Sequence, residues 1–433
     1  MEIKKSLPYL VLITLLAVVF VSEIYGYNGT PYYEFDPLMY GILVKVLAIH
    51  GSIPISGLAY SCGSLCSSNR FEPIQPYLMA GYYDIFGNLY SLMTIVPPIL
   101  FIIMALFVFV GFRHKYGNEW FAMIVAGLVL TMPVIWQQFG YGMFQEEAWG
   151  FALVIALFMS YYMAIDTNKM NYTILSGIIF MAVLLSSKYF TIAVSVIPLF
   201  IFLEILFLWK DNAKFSKFLK TNLLIFAFVF LANIMLLAYH GGFALSGFTI
   251  GNIFVPINLL LFGGALGIGI LLYVLVHFAE KHNKKVIYAV IGTILIIVAM
   301  FAPFFKHLEG YVEYLISYLH GGAYIPLFNT VQEFAPTPAS DLSVYFGAFG
   351  SPYVYWAILV SFVLVAILTC IKYSSAEKKL RLANNAFVLL WACAILPIFF
   401  IAVFGVSKYI SDGGLMLVIA FGIIFGEIYA KYK

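Results

Sequence analysis

Charged residues are scarce in this sequence. Asp, Glu, Lys and Arg make up 10% of its 433 residues, against about 25% in a soluble domain, and that shortfall excludes a water-soluble enzyme. Cysteine is scarce as well, with four residues in all. Cys370 and Cys393 fall in apolar runs, whereas Cys62 and Cys66 lie close together in a polar stretch, where they either close a small disulfide or remain free thiols. With no second Cys or His pair beside them they make a poor zinc pattern. A Walker A loop and a Gly-x-Gly-x-x-Gly stretch are both missing, which argues against an ATP-driven pump. The net charge of +3 says little by itself, and no nucleic-acid partner is expected.

Apolar residues are abundant instead, at 63%, with 18% aromatic. They gather in runs of about 20, enough to cross a ~30 Å hydrocarbon core at 1.5 Å per residue. The fold class expected is all-α: a polytopic helical membrane protein of about twelve spans, one transmembrane domain over 1–433. The spans fall near 8–26, 91–112, 118–137, 148–166, 171–187, 189–209, 222–240, 253–278, 286–305, 352–371, 385–405 and 413–430. The fifth and sixth are separated only by Ser186-Ser187-Lys188-Tyr189. The first run follows Lys4 and Lys5, but it is longer than a signal-peptide core and has no small-residue cleavage site, so it reads as a span.

Lys and Arg set the orientation, because they concentrate in cytoplasmic segments. With the N-terminus cytoplasmic, 18 of the 23 basic residues lie inside, leaving Lys45, Arg70, Lys188, Lys306 and Lys408 outside. Of the 20 acids 12 lie outside, so the inner segments carry 18 − 8 = +10 and the outer ones 5 − 12 = −7. Both termini are then cytoplasmic, in a multi-pass cell-membrane protein. Most of the chain outside the membrane faces outward, in a first outer loop over 27–90, a short acidic loop over 138–147 and a large loop over 306–351. Inner loops are short and basic. Asn28-Gly29-Thr30 in the first outer loop is a glycosylation sequon, a triplet that also arises by chance.

Three acidic clusters fall in those three outer loops: Glu34 and Asp36 before Pro37, Gln145-Glu146-Glu147 before the fourth span, and Thr330-Val331-Gln332-Glu333. Carboxylates beside a membrane are costly unless they face water, a cation or one another. Oxygen ligands from separate loops suit a hard cation such as Mg²⁺ or Mn²⁺, which can stabilise charge on a departing phosphate. Each cluster has a plainer reading too. Asp36 can cap a helix with Pro37 at its first position, Glu146 and Glu147 can favour a helix dipole, and Glu333 can be a solvated loop acid.

Taken in order, these stretches resemble the catalytic subunit of oligosaccharyltransferase, of the single-subunit archaeal and bacterial type, in its transmembrane part. Phe35-Asp36-Pro37 with Tyr40, His50-Gly51 and Pro76-Tyr77 looks like that family's first outer loop. Gly142-Met143-Phe144-Gln145-Glu146-Glu147-Ala148 looks like its Asp-x-Asp/Glu stretch, and Thr330-Val331-Gln332-Glu333 is similar to its Thr/Ser-x-x-Glu motif between spans nine and ten. The resemblance implies a GT-C-like transmembrane core and a glycosyltransferase using a polyprenyl (dolichyl) phosphate or diphosphate carrier. It makes Asp36 and Glu333 catalytic, gives the metal to Asp36, Glu146, Glu147 and Glu333, and sets Thr330, Gln332 and Gln145 at the acceptor. Lys408 falls roughly where the family places an Arg that meets the lipid-linked phosphate, and Lys188 can serve similarly. A Lys offers a point charge rather than a fork. It can also be an interfacial lysine that snorkels or one that ends a helix.

Two departures from the family are visible. Gln145 stands where the family has its first acid, so either Glu146 supplies the charge from a shifted position or the metal site is weakened. No Trp-Trp-Asp occurs, and no C-terminal soluble domain is expected in this sequence. Acceptor recognition then comes from a partner subunit, or the acceptor is not a protein sequon. The function expected is glycan transfer at the outer face, to protein asparagine or to a non-protein acceptor. A non-catalytic subunit and a lipid-linked-glycan transporter are the rivals. Large outer loops with clustered acids, and the lack of an internal repeat, favour the enzyme over the transporter.

Overall fold

The computed structural model describes residues 2–25, 44, 45, 47, 49, 51, 74–132, 146–187, 189–208, 212–239, 247–250, 253–279, 352–374, 379–382, 385–404 and 410–432. Among these, the helices are α1 (Glu2–Tyr25), α2 (Ile74–Phe86), α3 (Leu89–Tyr116), α4 (Glu119–Thr131), α5 (Glu146–Thr167), α6 (Met170–Ser186), α7 (Phe190–Leu208), α8 (Asn212–Tyr239), α9 (Ile257–Ala279), α10 (Pro352–Cys370), α11 (Ala386–Phe404) and α12 (Ile410–Tyr432). Every expected span except 286–305, which lies outside the described residues, overlaps one of these helices, although the first four residues of the one expected over 253–278 form a strand. The chain is a helical membrane protein. Four of the helices, α3, α5, α8 and α12, are long and apolar enough to cross a bilayer, and the other span-like helices present shorter apolar stretches.

Two features differ from the expectation. Residues 74–86, inside the expected outer loop 27–90, form the 13-residue helix α2, too short to span, which packs on α3 and α6. It buries Gln75, Pro76, Met79 and Ala80 while Tyr77, Leu78, Ile85 and Phe86 stay exposed. The fold is also not purely helical. An antiparallel hairpin of β1 (Gly247–Ile250) and β2 (Ile253–Pro256) joins α8 to α9, and a second, of β3 (Ile371–Ser374) and β4 (Lys379–Leu382), joins α10 to α11. Four-residue strands between long apolar runs carry too little periodicity to stand out in a sequence.

Local chemistry explains the tight turns. Gly117 follows α3 with φ of 63° and returns its N–H to the Arg113 carbonyl at 2.8 Å, a left-handed helix end that glycine adopts without strain. Asn118 then caps α4, its side-chain oxygen accepting from Phe121 N at 3.1 Å. Asn168 repeats the left-handed stop after α5, with φ of 53°. The narrow break expected at 186–189 is real: Ser187 is extended, and its Oγ accepts from Tyr189 N at 3.1 Å just before α7 begins.

Helix α5 is the axis of the bundle. It packs against α3, α6, α7, α8 and α11 and is buried along nearly its whole length. Lipid is as apolar as leucine, so helices associate in a bilayer through close packing of small residues. Ala148, Ala152, Ala156, Ser160 and Ala164 recur at four-residue spacing on α5, all buried, and form one small-residue stripe. The bulky side chains lie elsewhere around the helix. Phe158 meets Trp391 of α11 edge-on at 5.7 Å, and Tyr161 meets Phe200 of α7 at 5.8 Å. The Tyr161 hydroxyl donates to Asn222 Oδ1 at 2.6 Å, which satisfies two polar groups inside the bundle.

Candidate functional site

The acidic site expected at the outer face is described only in part. Asp36, Gln145, Lys188, Thr330, Gln332, Glu333 and Lys408 lie outside the described residues, as do Cys62, Cys66 and Asn28. Glu146 and Glu147 are the first two residues of α5. Both residues therefore stand in the first turn of the central helix, the end at which backbone N–H groups favour negative charge. Among the described residues no group of three or more His, Cys, Asp or Glu could hold a metal.

One packing feature fixes this end of α5. Gly150, one turn after Glu146, lies against Ser187 and Tyr189 of the α6–α7 break; a β-carbon there would stand 2.6 Å from Ser187 Cβ and 2.7 Å from Tyr189 Cβ. Gly150 thus lets the break seat directly on the start of the central helix. The acids of α5 and the residues flanking Lys188 share this end of the bundle.

The opposite end is basic, and several of its charged side chains are paired. In the α3–α4 turn Arg113 pairs with Glu119 at 3.0 Å, and Glu119 also accepts from the Tyr9 hydroxyl of α1 at 2.6 Å. His114 Nε2 lies 2.8 Å from Asp166 at the end of α5. Lys115 Nζ donates to Asn385 Oδ1 at 2.8 Å and lies 3.6 Å from Glu427 of α12; Asn385 Nδ2 donates to Glu427 at 3.2 Å. Tyr116 adds a hydroxyl to Glu427 at 3.2 Å. Three consecutive basic residues thereby tie α3 to α4, α5, α12 and the start of α11, and Glu119 carries the link on to α1. A cavity of about 510 Å³ opens beside this network, lined by Lys115, Asp166, Glu204, Lys214, Lys217 and Asn385 among others.

The sequence reading assigned no role to this basic end. Its signals were present as the Arg113-His114-Lys115 run at the end of an apolar stretch, and as Glu204, an acid inside one. What the sequence lacked was the partners of His114 and Lys115, Asp166 and Asn385, which lie 52 and 270 residues away along the chain.

An apolar bundle wrapped around one buried helix, acidic at one end of that helix and basic at the other, defines a polytopic membrane protein with two chemically distinct faces. Solved structures with this fold include those of archaeal oligosaccharyltransferase. The Archaeoglobus fulgidus oligosaccharyltransferase AglB, in complex with an inhibitory peptide and a dolichol-phosphate, matches with a TM-score of 0.70 at 15% identity over 100% of this chain and 51% of its own. The same organism's enzyme tethered to an acceptor peptide containing the NVT sequon matches at 0.68 with 16% identity, over 99% of this chain and 50% of its own. Its complex with Zn and sulfate matches at 0.62, with 15% identity over 97% and 49%. The chain thus has the fold of the transmembrane part of archaeal oligosaccharyltransferase, as the motif order implies, and spans about half the length of these structures. No protein-family model and no curated protein sequence matches it.

Proposed function

We propose that this chain is a membrane glycosyltransferase of the oligosaccharyltransferase type, moving a glycan from a polyprenyl (dolichyl) phosphate or diphosphate to protein asparagine at the outer face. The observation that carries the reading is the fold likeness over the whole chain, joined to three acidic motifs in the expected order, one of which begins the central helix. The relatives in fold were solved with a dolichol-phosphate and with a sequon peptide, ligands that match the donor and acceptor classes proposed.

In this reading Asp36, Glu146, Glu147 and Glu333 would hold a divalent cation, Mg²⁺ or Mn²⁺; their all-oxygen donor set fits a hard ion. Such an ion, when bound, would supply positive charge for the departing phosphate. The chain's own residues do the rest. Glu333 accepts hydrogen bonds from the acceptor amide, with Thr330, Gln332 and Gln145 around it, and so orients the nitrogen. Lys408 and Lys188 meet the carrier phosphate as point charges. The α5 N-terminus adds its dipole beneath Glu146 and Glu147. Gln145, a neutral residue where the family has an acid, favours one second reading, a non-catalytic subunit that keeps the fold.

A transfer assay decides between the two. Purified wild type and Glu333→Gln are given a dolichyl-linked glycan and a sequon peptide, with carrier binding measured in parallel. The expected result is transfer by the wild type and a loss of roughly 10²-fold or more in the variant, with carrier binding kept. Equal rates would reduce Glu333 to a solvated loop acid and leave the non-catalytic subunit as the better reading.

A further inference from the structure

The cavity at the basic end belongs to neither the acidic motifs nor the proposed reaction. It lies where α3, α5, α7, α8 and α11 end or begin, so it opens at the bilayer surface opposite Glu146 and Glu147. Its volume, about 510 Å³, falls within the range of about 300–1,000 Å³ typical of ligand sites.

The lining divides into two parts. Ile165, Leu208, Phe218 and Phe387 give it an apolar wall, while Lys115, Lys214 and Lys217 supply cations and Asn168 and Asn385 supply amides. Two carboxylates also line it. Asp166 is bonded to His114 at 2.8 Å, and Glu204 is 1% exposed. Among the described lining residues lysines outnumber acids three to two, and a phosphate diester is the kind of anion such a lining suits. Lys115 is held in place by Asn385 and Glu427, whereas Lys214 and Lys217 are exposed on the first turns of α8.

We propose that this cavity holds the headgroup phosphate of an anionic membrane phospholipid, with Lys115, Lys214 and Lys217 as its cationic partners and the apolar wall alongside its chains. Basic pockets between helices at a bilayer surface recognise lipid headgroups through this combination of charge and apolar contact. The site stands independently of the glycan-transfer reading, since it shares no residue with it.

The test uses the full chain purified in mild detergent, with phosphatidylglycerol as probe and phosphatidylcholine as comparison, and counts lipid molecules retained by native mass spectrometry. Wild type should retain phosphatidylglycerol selectively, and Lys214→Gln/Lys217→Gln should lower that retention about tenfold, in line with the loss of two charge-assisted contacts. Lys220→Gln, an exposed lysine of the same helix outside the cavity lining, should leave retention unchanged. Unfolding temperature measured on all three reports whether they fold alike, and Lys214 and Lys217 are exposed enough for the substitutions to be tolerated. Equal retention of the two lipids would overturn the proposal, as would an equal loss in Lys220→Gln, which would mark diffuse surface attraction. Displacement of the lipid by millimolar inorganic phosphate would likewise replace the lipid with a soluble phosphate as the ligand.

Discussion

Gly150 of α5 and Ser187 of the α6–α7 break touch where a β-carbon would not fit. This contact seats the break on the first turn of the central helix, four residues from Glu146 and three from Glu147. The absence of a side chain at position 150 therefore sets the spacing between two stretches that the glycan-transfer reading needs at one end of the bundle.

Gly150→Ala should accordingly be costly. The added methyl meets Ser187 and Tyr189 of the α6–α7 break, and overpacking of this kind costs about 1–3 kcal/mol. Gly267→Ala on α9, where nothing lies within 4 Å of the new β-carbon, should be neutral or slightly stabilising, because alanine favours helix over glycine. Thermal unfolding of the two variants in detergent checks the contrast. If Gly150 also positions the acids, glycan transfer by Gly150→Ala should fall more than its unfolding temperature explains.

Asn385 joins three elements with one side chain. It accepts from Lys115 at 2.8 Å, donates to Glu427 at 3.2 Å, and accepts from Val388 N at 3.4 Å in the first turn of α11. Asn385→Ala removes a helix cap and a bridge between opposite charges at once. The expected loss is about 1–2 kcal/mol, the ordinary cost of a cap, read as a lowered midpoint in denaturant or heat.

The acidic start of α5 yields a kinetic prediction. If Glu146 compensates for Gln145, Glu146→Gln should weaken the dependence of transfer on Mg²⁺ or Mn²⁺ more than Glu147→Gln does, and Gln145→Asp should keep or raise activity. A metal titration of each purified variant separates the two acids. An unchanged titration for Glu146→Gln would sink the compensation idea and leave that residue to the helix dipole.

Sidedness can be read chemically. The basic end carries Lys169, exposed at the α5–α6 turn, and the basic split of the sequence assigns that end to the cytoplasm. In a protein with Cys62 and Cys66 replaced by Ser, a cysteine at Ser67 should react with an impermeant thiol reagent on intact cells, and a cysteine at Lys169 should react only after permeabilisation. The reverse pattern would invert the topology and with it the outer site.

Much of the helical framework was legible in the sequence because a span is a local property. A run of about 20 apolar residues suffices to predict it, and turns such as Gly117-Asn118 are written in the residues that form them. The acidic motifs were legible for the same reason, as short strings whose order implied a family, and the fold bears that likeness out. Helix α2 and the two hairpins were missed because they are short and their stability comes from what they pack on.

By itself, then, the sequence determined that the chain is a helical membrane protein, where most of its helices begin and end, and which end of the bundle collects basic charge. Only the tertiary structure decided which helix is the core. Helix α5 is less apolar than α3 or α8, yet it is the buried axis. The reason is physical: hydropathy reports transfer out of water, and a side chain facing lipid scores the same as one facing another helix. Close approach is governed instead by the small-residue stripe of α5 and by Gly150, whose value depends on what stands opposite. The partners of Lys115, in Asn385 and Glu427, are likewise hundreds of residues distant in the chain, and only the packed bundle brings them together.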